Sequence, residues 1–196
     1  CGPAVADLAK LDRALEKFGP GADTIVLDMD TPGGSALGLE ETAARLRALR
    51  EAGTRIVAYT DTECCSAGYY LACEADQILA APSAILGSIG TYIAAVDNSR
   101  QWELAGLELK LFRDGAIKGI GLDGKRWNPE EESFLQGLVD DASQSFKGLV
   151  RERRPGVTDA DMQGQWWPAA SAPAALCDGL ALDIESVLVA ELERLV

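Results

Sequence analysis

The sequence predicts an α/β fold, a parallel sheet assembled from βαβ units with helices over both faces. Two observations lead there. Short unbroken apolar runs (Ile25-Val26-Leu27, Ile56-Val57-Ala58 and Ile78-Leu79-Ala80) read as strands buried on both sides. The first two are separated by a stretch with helical spacing, and strand, helix, strand is the pattern of a parallel crossover. With 196 residues, 47% of them apolar, and no internal repeat or low-complexity linker, the chain is expected to form one continuous domain over 1–196.

The elements follow in order. Leu8, Leu11, Leu15 and Phe18 share one helical face, and Gly19-Pro20-Gly21 stops that helix. Thr24-Ile25-Val26-Leu27-Asp28-Met29 is the first strand, running into the turn Asp30-Thr31-Pro32-Gly33-Gly34. Leu39, Ala43, Leu46 and Leu49 mark a second helix, closed by Gly53, and Arg55-Ile56-Val57-Ala58-Tyr59 is the next strand. Gln77-Ile78-Leu79-Ala80 is another, followed by Gly87-Ser88-Ile89-Gly90, and residues 107–112 alternate well enough to predict one more. The last helix has the clearest signals. Asn128 is a natural N-cap, Pro129 suits the first position, Glu131 stands three residues after the cap, and Arg151, Arg153 and Arg154 favour its C-terminus. Its stripe Phe134, Leu138, Ala142, Phe146 and Val150 is expected to pack in the core. Trp166 and Trp167 are expected to cover a core edge or an oligomer contact.

Composition removes several function classes. A net charge of −13 disfavours nucleic acid and anionic membrane as partners, because both need a cationic face. There is no histidine, which excludes a Ser-His-Asp triad and His-ligated metal. The cysteines Cys1, Cys64, Cys65, Cys73 and Cys177 contain no CxxC pair. They read as buried small hydrophobes in a reducing compartment, with a disulfide framework as the alternative. Residues 77–96 carry no charge and are long enough to span a bilayer, but Pro82, Gly87 and Gly90 interrupt them, and buried core is the better reading.

Three segments exceed what core packing needs. Thr31-Pro32-Gly33-Gly34 ends a strand, and its glycines can present an N–H to an incoming group or simply make a turn. Ser66, in Cys64-Cys65-Ser66-Ala67-Gly68-Tyr69-Tyr70, stands at a strand-to-helix junction, where a serine is a nucleophile or an N-cap. Lys118 lies among Ile117, Ile120 and small residues, a setting able to desolvate an ammonium as a general base requires, although most lysines are solvated.

The order and spacing of these segments resemble the signal peptide peptidase A, or protease IV, family of serine peptidases, including phage-type capsid-maturation proteases. The resemblance runs from about Leu8 to Ile184, and its marks are Leu27-Asp28-Met29-Asp30-Thr31-Pro32-Gly33-Gly34, Ser66-Ala67-Gly68-Tyr69-Tyr70, Ala75-Asp76, Gly87-Ser88-Ile89-Gly90, Gly115 with Lys118, and Gly179-Leu180. Val96-Asp97-Asn98-Ser99, followed by 103–107, leans toward the phage-type branch. The resemblance implies a Clp protease/crotonase-like fold with repeated β-β-α units. It implies Ser66 as nucleophile, Lys118 as general base, Ser88 as the hydroxyl orienting the lysine amine, and the N–H groups of Gly34 and Ala67 as oxyanion hole. It implies no cofactor and no metal, a peptide or protein substrate bound in extended form, such as a signal peptide or a phage-type assembly protein, and a homo-oligomeric ring. Independently, a chain without histidine has lysine as its most plausible base for a serine.

Two departures are Cys64 and Cys65, where the family has small residues, and Ala67, where it often has Gly. A thiol nucleophile at Cys65 is the alternative, but a buried cysteine without a cationic partner is usually inert. The family also begins with a strand upstream of the first helix, and none precedes Gly2, so a missing segment is expected to supply an edge strand or a membrane anchor. Membrane association is expected only through such a segment. The five thiols favour the cytoplasm, with a membrane-associated or periplasmic location as the alternative. Two other classes share the fold: a non-catalytic scaffold or assembly protein, and a crotonase-type acyl-CoA enzyme, the latter disfavoured by the negative charge.

Overall fold

The computed structural model describes residues 4–196. In chain order the elements are α1 (Ala4–Phe18), β1 (Thr24–Asp28), α2 (Leu39–Glu51), β2 (Arg55–Thr60), β3 (Glu63–Cys65), α3 (Ala67–Ala72), β4 (Gln77–Ala80) and β5 (Ile85–Gly87). There follow α4 (Ser99–Leu104), α5 (Pro129–Arg153), β6 (Trp166–Pro168), β7 (Gly179–Leu180) and α6 (Ile184–Arg194). They fall into two compact units, one of residues up to Gly90 together with Ser145–Val196, the other Thr91–Gln144.

The first unit contains two sheets. Strands β1-β2-β4-β7 are all parallel, and β3-β5-β6 pairs β3 with β5 in parallel and β5 with β6 antiparallel. The unbroken apolar run of β2 has a direct cause. Ile56 and Ala58 face the main core with Ile78, Leu46 and Tyr69, while Val57 and Tyr59 face a second cluster with Val187 of α6. Both pleats of the strand are covered, so neither can be polar. The first two strands of this sheet are each followed by a crossover: α2 after β1, then β3 and α3 after β2, the β-β-α unit. Glu74, just beyond α3, is fully buried and takes a hydrogen bond from Arg47 Nε at 3.0 Å and an ion pair from Arg153 at 3.2 Å.

The second unit is α4, a turn-rich stretch and the first part of α5. The expected capping box is present: Asn128 Oδ1 accepts from Glu131 N–H at 3.0 Å, and Glu131 Oε2 accepts from Asn128 N–H at 3.3 Å. Asn98 Oδ1 accepts from Gly124 N–H at 2.8 Å, and the Asp97 carboxylate from Ser99 and Trp127 N–H groups.

Several expectations need correction. Residues 107–112 form no strand, because no other strand of their unit is there to pair with them, and Phe112 is 93% exposed. Of the α5 stripe, Phe146 and Val150 are buried but Phe134 and Leu138 are about half exposed, since the core takes in only the later turns of the helix. Phe18 is exposed beneath the Lys17 ammonium. The uncharged run is core as far as Ile89, but Tyr92 and Val96 are exposed. Trp167 packs on the core edge as expected, whereas Trp166 is largely exposed. Cys64, Cys65 and Cys73 are buried and Cys177 half-buried, all as free thiols; Cys1 lies outside the described residues. Among the described residues no helix is long and apolar enough to cross a membrane.

Candidate active site

The site is built where β3 and β5 end side by side. Cys65 stands opposite Gly87, and one residue further each strand reaches a serine, Ser66 and Ser88. Among the described residues these two are the only non-glycines with positive φ, 50° and 53°. Such a backbone costs about 1–3 kcal/mol and persists only where its surroundings impose it. The surroundings do: Ser66 N–H donates to Gly87 O at 2.9 Å, Cys65 N–H to Thr31 O at 3.0 Å, and Tyr70 N–H to Ser66 O at 2.9 Å. Ser88 N–H is held by Gln165 O. Ser66 occupies the N-cap position of α3, yet its hydroxyl makes no capping bond. The Ser66 hydroxyl therefore does not serve as the cap of α3.

The turn after β1 closes onto this corner. Thr31 bridges to Cys64 in parallel, drawing the glycine turn alongside β3. A Cβ on Gly33 would lie 2.5 Å from Ser66 Cβ and 3.0 Å from its Oγ, so only glycine allows this approach, and its φ of 105° points the same way. On the other side of the serine, a Cβ on Gly68 would meet the Thr31 methyl at 2.2 Å. Among the described residues the N–H groups of Gly34 and Ala67 have no hydrogen-bond partner. Gly33, Ala67 and Gly68, with Met29, Leu39 and Leu71, line part of an apolar cavity of about 470 Å³.

The neighbouring thiol is poorly suited to attack. Burial, with Glu63 nearby, pushes the Cys65 thiol up to about 11, leaving little thiolate near neutral pH. Lys118 lies in the second unit, on the turn 114–122, and its side chain is exposed. The flanking Ile117 and Ile120 are half-buried but do not enclose it, which corrects the expectation of local desolvation. Its N–H donates to Gly115 O at 3.2 Å, and its carbonyl accepts from Arg113 Nη1 at 3.1 Å. The first unit thus gathers Gly34, Ser66, Ala67 and Ser88, and the second carries Lys118. Sequence reasoning passed over Gly33 as a packing surface for Ser66, and Arg113 altogether. The first is visible only once β3 is placed beside the turn, and the second had no signal beyond being one arginine among many.

Residues 48–191 match the family described as Peptidase family S49. The probable protease SohB of Buchnera aphidicola subsp. Acyrthosiphon pisum is 26% identical over 175 residues, covering 88% of this chain and 52% of that protein. Protease 4 of Salmonella typhi is 31% identical over 189 residues, covering 91% of this chain and 30% of that protein. This chain therefore spans about half the length, or less, of these two curated relatives. A point mutant of ClpP1 from Listeria monocytogenes superposes with a TM-score of 0.60 over 93% of this chain and 88% of that one, at 8% identity, a likeness of fold alone. It agrees with the Clp-like α/β architecture expected from the sequence. The family match runs from α2 into α6 and takes in Ser66, Ser88 and Lys118: this chain belongs to peptidase family S49.

Proposed function

We propose that the chain is a serine endopeptidase working through a Ser66–Lys118 dyad. The observation that carries this reading is Ser66 itself, held at φ 50° and ψ −119° on a strand-to-helix corner with its hydroxyl unused as a cap. Strain at such a corner lifts a nucleophile clear of its own helix. The Lys118 amine takes the Ser66 proton as Oγ bonds to the scissile carbonyl carbon. The oxyanion is received by the unpartnered N–H groups of Gly34 and Ala67. The carbon–nitrogen bond then breaks, the lysine proton goes to the leaving amine, and water attacks the acyl-serine with Lys118 again as base. The Ser88 hydroxyl, which like Ser66 stands one residue beyond the Cys65–Gly87 pair, orients the amine. No step calls on a metal or cofactor.

The substrate is an extended peptide bound by strand addition, with apolar side chains suited to the cavity beside Ser66. Signal peptides and phage-type assembly proteins both offer such segments. The exposure of Lys118 favours a homo-oligomeric ring in which its amine meets the Ser66 of a neighbouring protomer and sheds its water there. Tyr92, Val96 and Phe112, all exposed on the second unit, supply apolar surface for that contact. The free thiols suit a reducing compartment, and the cytoplasm is the proposed location.

Treatment with a fluorophosphonate and mapping of the adduct by mass spectrometry tests the reading. The adduct should sit on Ser66 and vanish in Ser66→Ala. Mixing inactive Ser66→Ala with inactive Lys118→Ala should restore cleavage once subunits exchange. An adduct on Cys65 refutes the nucleophile, and a chain that assembles but neither labels nor cleaves is a scaffold.

A further inference from the structure

The turn that carries Lys118 is tied to a fully buried carboxylate. Glu131 has no exposed surface, although burying an anion is costly unless its oxygens are matched. They are matched: Arg113 Nη1 donates to Oε1 at 3.0 Å, and Lys125 Nζ and the Asn128 N–H donate to Oε2. The reciprocal bond from Glu131 N–H to Asn128 Oδ1 locks this carboxylate into the first turn of α5. Lys125, then Arg113 and the Asn128 N–H, hold its carboxyl below the usual range, so it stays anionic at neutral pH.

The same Arg113 nitrogen that reaches Glu131 also donates to the Lys118 carbonyl at 3.1 Å. Between 114 and 122 the backbone includes Gly115, Gly119 and Gly121, all at positive φ, and glycine there leaves many alternative conformations open. Among the described residues, the Arg113 bond is the only side-chain hydrogen bond that this turn's backbone receives. A chain of contacts thus runs from a rigid helix start, through one guanidinium, to the residue bearing the amine.

We propose that Arg113, anchored by Glu131, is a positioning residue for the peptidase reaction, holding the Lys118 turn in the one conformation that presents the amine. This rests on Lys118 being the general base. Arg113 touches neither the peptide nor the reacting atoms; it acts by narrowing where the amine points, and misplacement of about 1 Å can cost up to about 100-fold in rate.

The test compares Arg113→Ala, Arg113→Lys and Glu131→Gln, alone and on a Lys118→Ala background. It measures peptide hydrolysis and the rate of fluorophosphonate labelling of Ser66. Arg113→Ala should lower kcat by about 10- to 100-fold with little change in KM. Arg113→Lys, which keeps the cation and a donor nitrogen on a shorter reach, should recover part of that loss. Glu131→Gln should reproduce the Arg113→Ala effect, and combining the two should add little, because both act through one contact chain. On the Lys118→Ala background, Arg113→Ala should no longer slow the residual labelling. An equal slowing with and without Lys118 means a general structural role and overturns the proposal. So does an inactive Lys118→Ala beside a fully active Arg113→Ala. A fully active Lys118→Ala would instead remove the dyad on which the inference stands.

Discussion

Replacing Gly33 by alanine places one methyl group against the nucleophile. The added Cβ would sit 2.5 Å from Ser66 Cβ and 3.1 Å from Cys65 O, where ordinary contact begins at 3.4 Å. Ser66 and the turn must therefore separate by about 0.9 Å, the difference of the first and last of those distances. A shift of about 1 Å at a reacting atom can cost up to about 100-fold in kcat. Alanine must also adopt φ near 105°, and strain of this kind costs about 1–3 kcal/mol. At about 2–4 °C per kcal/mol for a chain of this size, the melting temperature should fall by several degrees without loss of the fold. The assay pairs steady-state peptide hydrolysis with the fluorophosphonate labelling rate, both well below the melting point. Both should drop together, because the perturbation acts on Ser66 before any peptide binds. Parent-like kcat and labelling in a folded Gly33→Ala would refute the claim that this glycine sets the position of the serine.

Three further outcomes are expected. Cys65→Ala should keep most of the activity, since a thiol pushed up to about 11 contributes little nucleophile; an inactive but folded variant would return the role to the thiol. Lys118→Arg should lose about 10²- to 10⁴-fold in kcat, because a guanidinium does not give up its proton near neutral pH, and an active arginine variant would refute lysine as the base. Acid should destabilise the fold through Glu191 and Glu131, whose carboxyls are held below the usual range by hydrogen bonds from Arg55 and Lys125 respectively. Depressed values mean stability that is present above the unfolded glutamate range near about 4.3 and lost as pH falls through the folded values. Asp28, raised mainly by burial and further by Asp61 and Asp30, has the opposite sign and softens the loss. Urea midpoints measured from pH 7 to 3 should fall for the parent and fall less for Glu191→Gln; parallel curves would refute the Glu191 contribution.

Elements whose signals are local were legible from the residues alone. The α5 start was legible because Asn128, Pro129 and Glu131 satisfy one another within four residues, and the structure shows both capping-box bonds. The strands Arg55–Thr60 and Gln77–Ala80 were legible because burial on both faces leaves an unbroken apolar run. The segments that build the candidate site were also legible, as glycine and serine patterns at strand ends. Strands of two or three residues, such as β3 and β7, were not, because so short a run has no periodicity of its own. Packing between distant segments was needed to show that residues 107–112 lack a partner strand, that Phe134 and Leu138 lie outside the core while Phe146 and Val150 lie in it, and that Lys118 is solvated despite its isoleucines. The same packing sets the turn after β1 against Ser66, whose hydroxyl makes no capping bond. Periodicity and composition report what a residue needs from its own helix or strand; which distant segment meets that need depends on strand order and packing, and no local window contains them.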